Sequence, residues 1–121
     1  MRYLSVASIF NVKDLEVAIG FYTTGLGFEI DFMIDDYIGV KKDGMVFLHL
    51  TSNKFRADRT GRGHIYIVLD EVDSYYAAIR ARGLQPLSSP ANLEYGMREF
   101  ETTDPDGNIL TFGCQVPSRF D

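Results

Sequence analysis

The chain has 121 residues, 45% of them apolar, and a net charge of −5. That length is one domain's worth and buries a core without disulfides or metal staples. No run approaches the roughly 20 apolar residues of a membrane span, and the acidic balance speaks against a nucleic-acid binder, which needs a basic face.

The single cysteine, Cys114, has no partner for an internal disulfide. The expected location is the cytoplasm. In an apolar strand Cys114 reads first as packing and only second as a nucleophile.

Residues 3–10 read as a first strand and not as a signal peptide, since no cleavage site follows the short apolar run. Leu15, Ala18, Ile19, Tyr22 and Leu26 then repeat with helical spacing. Asp14 is placed to cap that helix, and Gly25 and Gly27 to end it. Strands are predicted over Phe28–Met33, Tyr37–Lys41 and Met45–Thr51, with turns at Asp35-Asp36 and Asp43-Gly44.

The segment Asn53–Gly63 is polar and holds Lys54, Arg56, Arg59 and Arg62. Its plain reading is a solvated, mobile loop. Its functional reading is a lid or an anion contact.

His64–Leu69 is the next predicted strand. Val72, Tyr75, Tyr76 and Ile79 mark a second helix, with Asp70 and Asp73 near its start and Gly83 at its stop. Strands over Leu84–Leu87, Arg98–Thr103 and Ile109–Val116 complete the chain. In the tail after Pro117, Phe120 is weighed as a docking residue.

The order is strand, helix, three strands, and then the same again. Phe21-Tyr22 answers Tyr75-Tyr76, and Asp43-Gly44 answers Asp106-Gly107. The fold class expected is α+β. Two βαβββ modules, about 1–53 and 62–116 within a single domain of 1–121, would form a cup-shaped, incompletely closed mixed sheet.

Ordered landmarks carry a family resemblance. They are Asn11-Val12-Lys13-Asp14-Leu15, Phe21-Tyr22, Leu26-Gly27-Phe28, Gly63-His64-Ile65, Gly96-Met97-Arg98-Glu99-Phe100 and the turn Asp104-Pro105-Asp106-Gly107-Asn108. Over roughly residues 3 to 115 the chain resembles the glyoxalase, bleomycin-resistance and extradiol dioxygenase (vicinal oxygen chelate) superfamily. Asp104–Asn108 is itself a tight reversal, in which Pro105 fixes φ and Gly107 accepts a positive one.

Enzymes of that superfamily hold a divalent metal on four strand positions. By the resemblance these fall on Ala7, His49, His64 and Thr111. Two are ligand types and two are not. Glu99 and Glu101 share one strand face and are the nearest candidates for a carboxylate ligand. Thr111 stands where glyoxalases place a proton-moving glutamate, and a threonine cannot serve as that base.

The resemblance is better to the metal-free bleomycin-resistance branch, whose members form dimers and sequester a drug. The chain supplies seven Tyr and nine Phe, without Trp. The candidate ligand-binding residues are His49, Tyr37, Phe47, Tyr95, Arg98 and Phe112. His49 alternates with Leu48 and Leu50 and so faces the other way. Arg98 is suited to an anionic or carbonyl group.

The expectation is therefore a small-molecule-binding homodimer, a drug-sequestering antibiotic-resistance protein by resemblance. It has no catalytic residues, no cofactor, and neither nucleic acid nor membrane as partner. The alternative is a metal-dependent lyase or dioxygenase with an atypical ligand set including His49 and His64.

Overall fold

The computed structural model describes residues 1–116, so Phe120 lies outside the described residues. The elements run β1 (Ser8–Asn11), α1 (Leu15–Gly20), β2 (Glu29–Ile34), β3 (Tyr37–Lys42), β4 (Val46–Thr51), β5 (His64–Val68), α2 (Val72–Ala81), β6 (Ala91–Asn92), β7 (Met97–Thr103) and β8 (Ile109–Gln115). This is the βαβββ order twice, an α+β fold. Each half holds an open four-stranded mixed sheet, ordered β1-β4-β3-β2 in the first and β5-β8-β7-β6 in the second. In both, the edge strand that opens the half lies parallel to the strand that closes it.

Two compact units result. The first is Met1–Gly63 together with Asp104–Asn108, and the second is His64–Thr103 together with the strand that begins at Ile109. The landmark turn thus joins two strands of the second unit while packing within the first.

Local chemistry explains the helices. The Asp14 side chain accepts from the backbone N–H groups of Glu16 and Val17, so α1 starts there. The helix then widens into a π-turn over Phe21–Gly25. Thr23 donates its hydroxyl to the Ile19 carbonyl at 2.7 Å, the back-bonding that loosens a helix ladder. The periodic pattern predicts a plain helix through Leu26, and this widening is the difference. Helix α2 stops at Gly83, whose φ of 99° only glycine adopts freely.

Strand alternation gives each sheet a covered and an open face. In the first, Ile38, Val40, Leu48 and Leu50 are all buried on the helix side. In the second, Phe100 and Phe112 lie against Tyr75 and Tyr76 of α2.

Asp104 ties the first unit together. Its buried carboxylate accepts from the Tyr22 hydroxyl at 2.9 Å, from the backbone of Asp106 and Asn108, and from the Asn108 side chain at 2.8 Å. Asn108 also donates to the Asn11 carbonyl and accepts from Gly63 N–H. Burial and the adjacent Asp104 push the Tyr22 phenol well above its ordinary range, so it remains a donor.

Two expectations are corrected. Residues 3–7 do not join β1. Strand β4 begins at Val46 and Ser8 already faces Leu48, so Tyr3 to Ser5 meet no partner strand. Leu84–Leu87 is no strand, because Pro86 lacks the N–H a ladder needs. The short β6 at Ala91–Asn92 pairs with β7 in its place. The solvated segment Asn53–Gly63 is exposed over Lys54–Arg59, where it forms two short 3-10 turns that meet at a kink at Arg56, the first capped by the Asn53 side chain.

Replacing Asp104 by Ala is expected to cost about 3 kcal/mol, since it orphans a buried network. Tyr22→Phe, which removes one bond of it, is expected to cost about 1 kcal/mol. Urea denaturation measures both, and an Asp104→Ala protein as stable as the parent would contradict this role.

Candidate ligand-binding site

The open face of the first sheet is aromatic. His49, Gly39 and Ile9 share one row of it, and Tyr37, Thr51 and Asn11 the next. The Tyr37 hydroxyl lies 2.8 Å from Nδ1 of His49. Burial raises the Tyr37 phenol pKa. A neutral phenol both donates and accepts, so the tautomer of His49 decides the direction of that bond. Phe32 stacks on Tyr37 and meets His49 edge-on at 5.1 Å between ring centroids. It crosses directly over Gly39, where a Cβ would collide with its ring. Phe47 is on the same face, opposite Lys41, and half-buried.

The open face of the second sheet is polar. His64, Tyr66, Tyr95, Glu99, Glu101 and Thr111 surround a hollow of about 390 Å³. His64 Nε2 lies 2.8 Å from the Thr111 hydroxyl, which lies 3.4 Å from Glu101 Oε1. A carboxylate only accepts, so Thr111 donates to Glu101 and His64 donates to Thr111 through Nε2. Tyr66 donates to Glu99 through a short hydrogen bond. Partial burial and then that bond push the Tyr66 phenol up to about 12. The hydrogen bond to Glu99 is the main cause that pushes Tyr95 up to about 12. Both phenols are neutral donors at physiological pH.

Two candidate residues face elsewhere. Phe112 is buried, 5.3 Å from Phe100 and 4.9 Å from Tyr75, on the helix side of β8. Alternation with Thr111 puts it there, so it is core and lines no open face. Arg98 also points to the helix side. Its guanidinium makes two 2.8 Å bonds to Asp73 of α2 and one of 3.0 Å to Asn92. The bond from Arg98 lowers the Asp73 pKa. Arg98 therefore already has its anion.

His49 and His64 belong to different sheets. Among the described residues, no three His, Cys, Asp or Glu side chains gather to hold a metal ion. Ala7 precedes β1, and Thr111 is spent between His64 and Glu101. With alanine and threonine at two of the four positions, this donor set does not fit the superfamily's metal.

Sequence reasoning missed Phe32 and Tyr66. A register shift between Ile30 and Phe32 breaks the alternation of β2 and brings Phe32 to the open face. The available signal was Gly39, a strand glycine that marks a close approach. Tyr66 stands two residues from His64, and period 2 alone puts both on one face.

Gly39→Ala is expected to destabilise the protein by about 2 kcal/mol through the clash with Phe32. In a double-mutant cycle, Phe32→Ala should absorb most of that loss. Strictly additive losses would contradict the contact. The second-sheet phenols give a pH signature. Their folded pKa lies above the ordinary value of about 10, so their contribution to stability is full below it. That contribution is lost as pH rises from about 10 towards about 12. Tyrosine-ring NMR should show Tyr95 ionising earlier in Glu99→Gln, and an unchanged titration would contradict the bond.

Comparison with known proteins agrees with this architecture. The sequence profile of the Glyoxalase/Bleomycin resistance protein/Dioxygenase superfamily matches residues 4–112. A superfamily member from Sphaerobacter thermophilus is 24% identical with a TM-score of 0.80, covering 95% of this chain and 98% of that one. A glyoxalase/bleomycin resistance protein/dioxygenase from Alicyclobacillus acidocaldarius is 23% identical with a TM-score of 0.79, covering 98% of each. A glyoxalase/bleomycin resistance protein from Streptomyces sp. CB03234 is 26% identical with a TM-score of 0.74, covering 90% of this chain and 98% of that one. No curated protein matches the sequence. No helix among the described residues is long and apolar enough to cross a membrane. With its profile matched over nearly the whole length, the chain belongs to the Glyoxalase/Bleomycin resistance protein/Dioxygenase superfamily.

Proposed function

We propose that this protein binds and sequesters a small organic molecule on the open face of its second sheet, without a metal or other cofactor. The observation that carries the reading is the company Glu99 keeps. Its carboxylate is the acceptor for Tyr66 and Tyr95, and both rings remain exposed beside it. Val68, on the same face of β5, is 66% exposed as well. Apolar surface beside orienting polar groups is what a small-molecule site needs.

The chemistry selects a ligand type. Two carboxylates, Glu99 and Glu101, favour a cation, and the tyrosine faces favour a planar or cationic group. The hydrogen bonds within the cluster hold the side chains in place before any ligand arrives, which lowers the ordering cost of binding. The Streptomyces neighbour is described as a glyoxalase/bleomycin resistance protein. A cationic glycopeptide of the bleomycin class is therefore the first ligand to try, and drug sequestration the finer reading.

The exposed side chains also favour a homodimer, because a second copy would cover apolar surface that water now meets.

In a thermal-shift screen, a bleomycin-class glycopeptide should raise the melting temperature, because a ligand that binds only the folded state stabilises it. Glu99→Gln should reduce the shift. Absence of a shift across that class would sink the drug reading. Stoichiometric nickel, zinc, iron or manganese in the purified protein, lost in His64→Ala, would overturn the metal-free one. Sedimentation should give a dimer at micromolar concentration, and a monomer alone would contradict it.

A further inference from the structure

We infer that the first unit carries a separate oxyanion site, built for the phosphate group of a small organic molecule. A cavity of about 540 Å³ lies within that unit, and Arg56, Arg59 and Arg62 line it together with Asn11, Tyr37 and Ile9. The three guanidiniums make no ion pair and no side-chain hydrogen bond among the described residues. Asp36 also lines the cavity, so three cations and one anion leave it a local charge of +2, in a chain whose net charge is −5. Like charges gathered this way repel one another unless an anion joins them.

A second, independent observation points the same way. Asn11 is 4% exposed, lines the cavity, and its side-chain Nδ2 has no hydrogen-bond partner. A buried donor without a partner costs free energy, and native structures seldom leave one. A phosphate oxygen in the cavity would take that bond, and the guanidiniums would supply the charge-assisted ones.

The arginine segment is also held in position. Asn53 caps its first 3-10 turn, Thr60 bridges to Asn11, and Gly61 N–H donates to the Asn11 carbonyl. Gly61, at φ 75°, sits so close to the Asp106 carbonyl that any Cβ would collide with it. Gly63 N–H is fixed by Asn108. Three exposed arginines on a segment anchored at both ends keep a defined orientation. The remainder of the ligand would lie on Ile9, which is 56% exposed, and on the Tyr37 ring. This site does not depend on the second sheet or on the ligand proposed for it.

The test is calorimetric titration of the full chain with inorganic phosphate, phenyl phosphate and benzoate at one ionic strength. Phenyl phosphate should bind once per chain, at least about tenfold more tightly than benzoate, because a dianion meets three guanidiniums. It should also exceed inorganic phosphate, because the ring gains apolar contact. Raising salt should weaken it. The triple variant R56Q/R59Q/R62Q should lose about tenfold or more in affinity. Its arginines are exposed, so its melting temperature should stay near the parent's. Asn11→Asp, which sets a carboxylate in the cavity, should lose binding as well, with Asn11→Ala as the milder control. Failure of phenyl phosphate to saturate, or a triple variant that binds it like the parent, would overturn the site. Equal affinity for benzoate would overturn the phosphate assignment, and equal affinity for inorganic phosphate would overturn the organic ester.

Discussion

A buried carboxylate must have every lone pair answered, and Asp104 meets that demand with four hydrogen bonds. Much of the first unit follows from how it does so. Tyr22 has to lie where its hydroxyl reaches Oδ2, so the helix that carries it is fixed by its polar tip as well as its apolar body. Asn108 has to turn its amide to Oδ2 and to the Asn11 carbonyl, which leaves its own Oδ1 for Gly63. The turn also brings Asp106 to Lys13 N–H and presses its carbonyl against Gly61. One acidic side chain therefore orients α1, the end of β1 and the segment that carries the arginines.

The two sheets use the same alternation for different ends. On the helix side both are apolar, and burial of Leu48, Leu50, Phe100 and Phe112 supplies the core. On the open side the first sheet is aromatic around His49, and the second is acidic and phenolic around Glu99. Each imidazole is held through one nitrogen by a neighbouring hydroxyl, Tyr37 for His49 and Thr111 for His64. Such pairs orient a ring firmly. In each pair the two side chains satisfy one another, so the open faces carry fixed polar groups as well as rings.

Much of the fold was legible in the residues. Helical spacing located both helices, and the Asp-Gly and Asp-Asp pairs located the hairpins. What failed was non-local or depended on one atom. Residues 3–7 have strand-like composition, but a strand needs a partner, and pairing is a property of β4. Leu84–Leu87 reads as apolar strand until the missing N–H of Pro86 is counted. At the site, alternation placed His49, Glu99 and Glu101 correctly on faces. Arg98 and Phe112, read as ligand-binding residues, lie on the opposite faces from Glu99 and Thr111, a consequence of the same alternation that the sequence reading did not draw. The salt bridge from Arg98 to Asp73 spans 25 residues, and the tie between Tyr22 and Asp104 spans 82. No local pattern announces either.

The central claim is that the polar, tyrosine-lined face of the second sheet is a place where a small molecule binds. Amide chemical-shift mapping with a bleomycin-class glycopeptide tests it most directly. The account predicts saturable shifts at Tyr66, Tyr95, Glu99 and Glu101, with the helix-side residues Phe100 and Phe112 little changed. Saturable shifts confined to α2 and the core, or none at all on the open face, would contradict it.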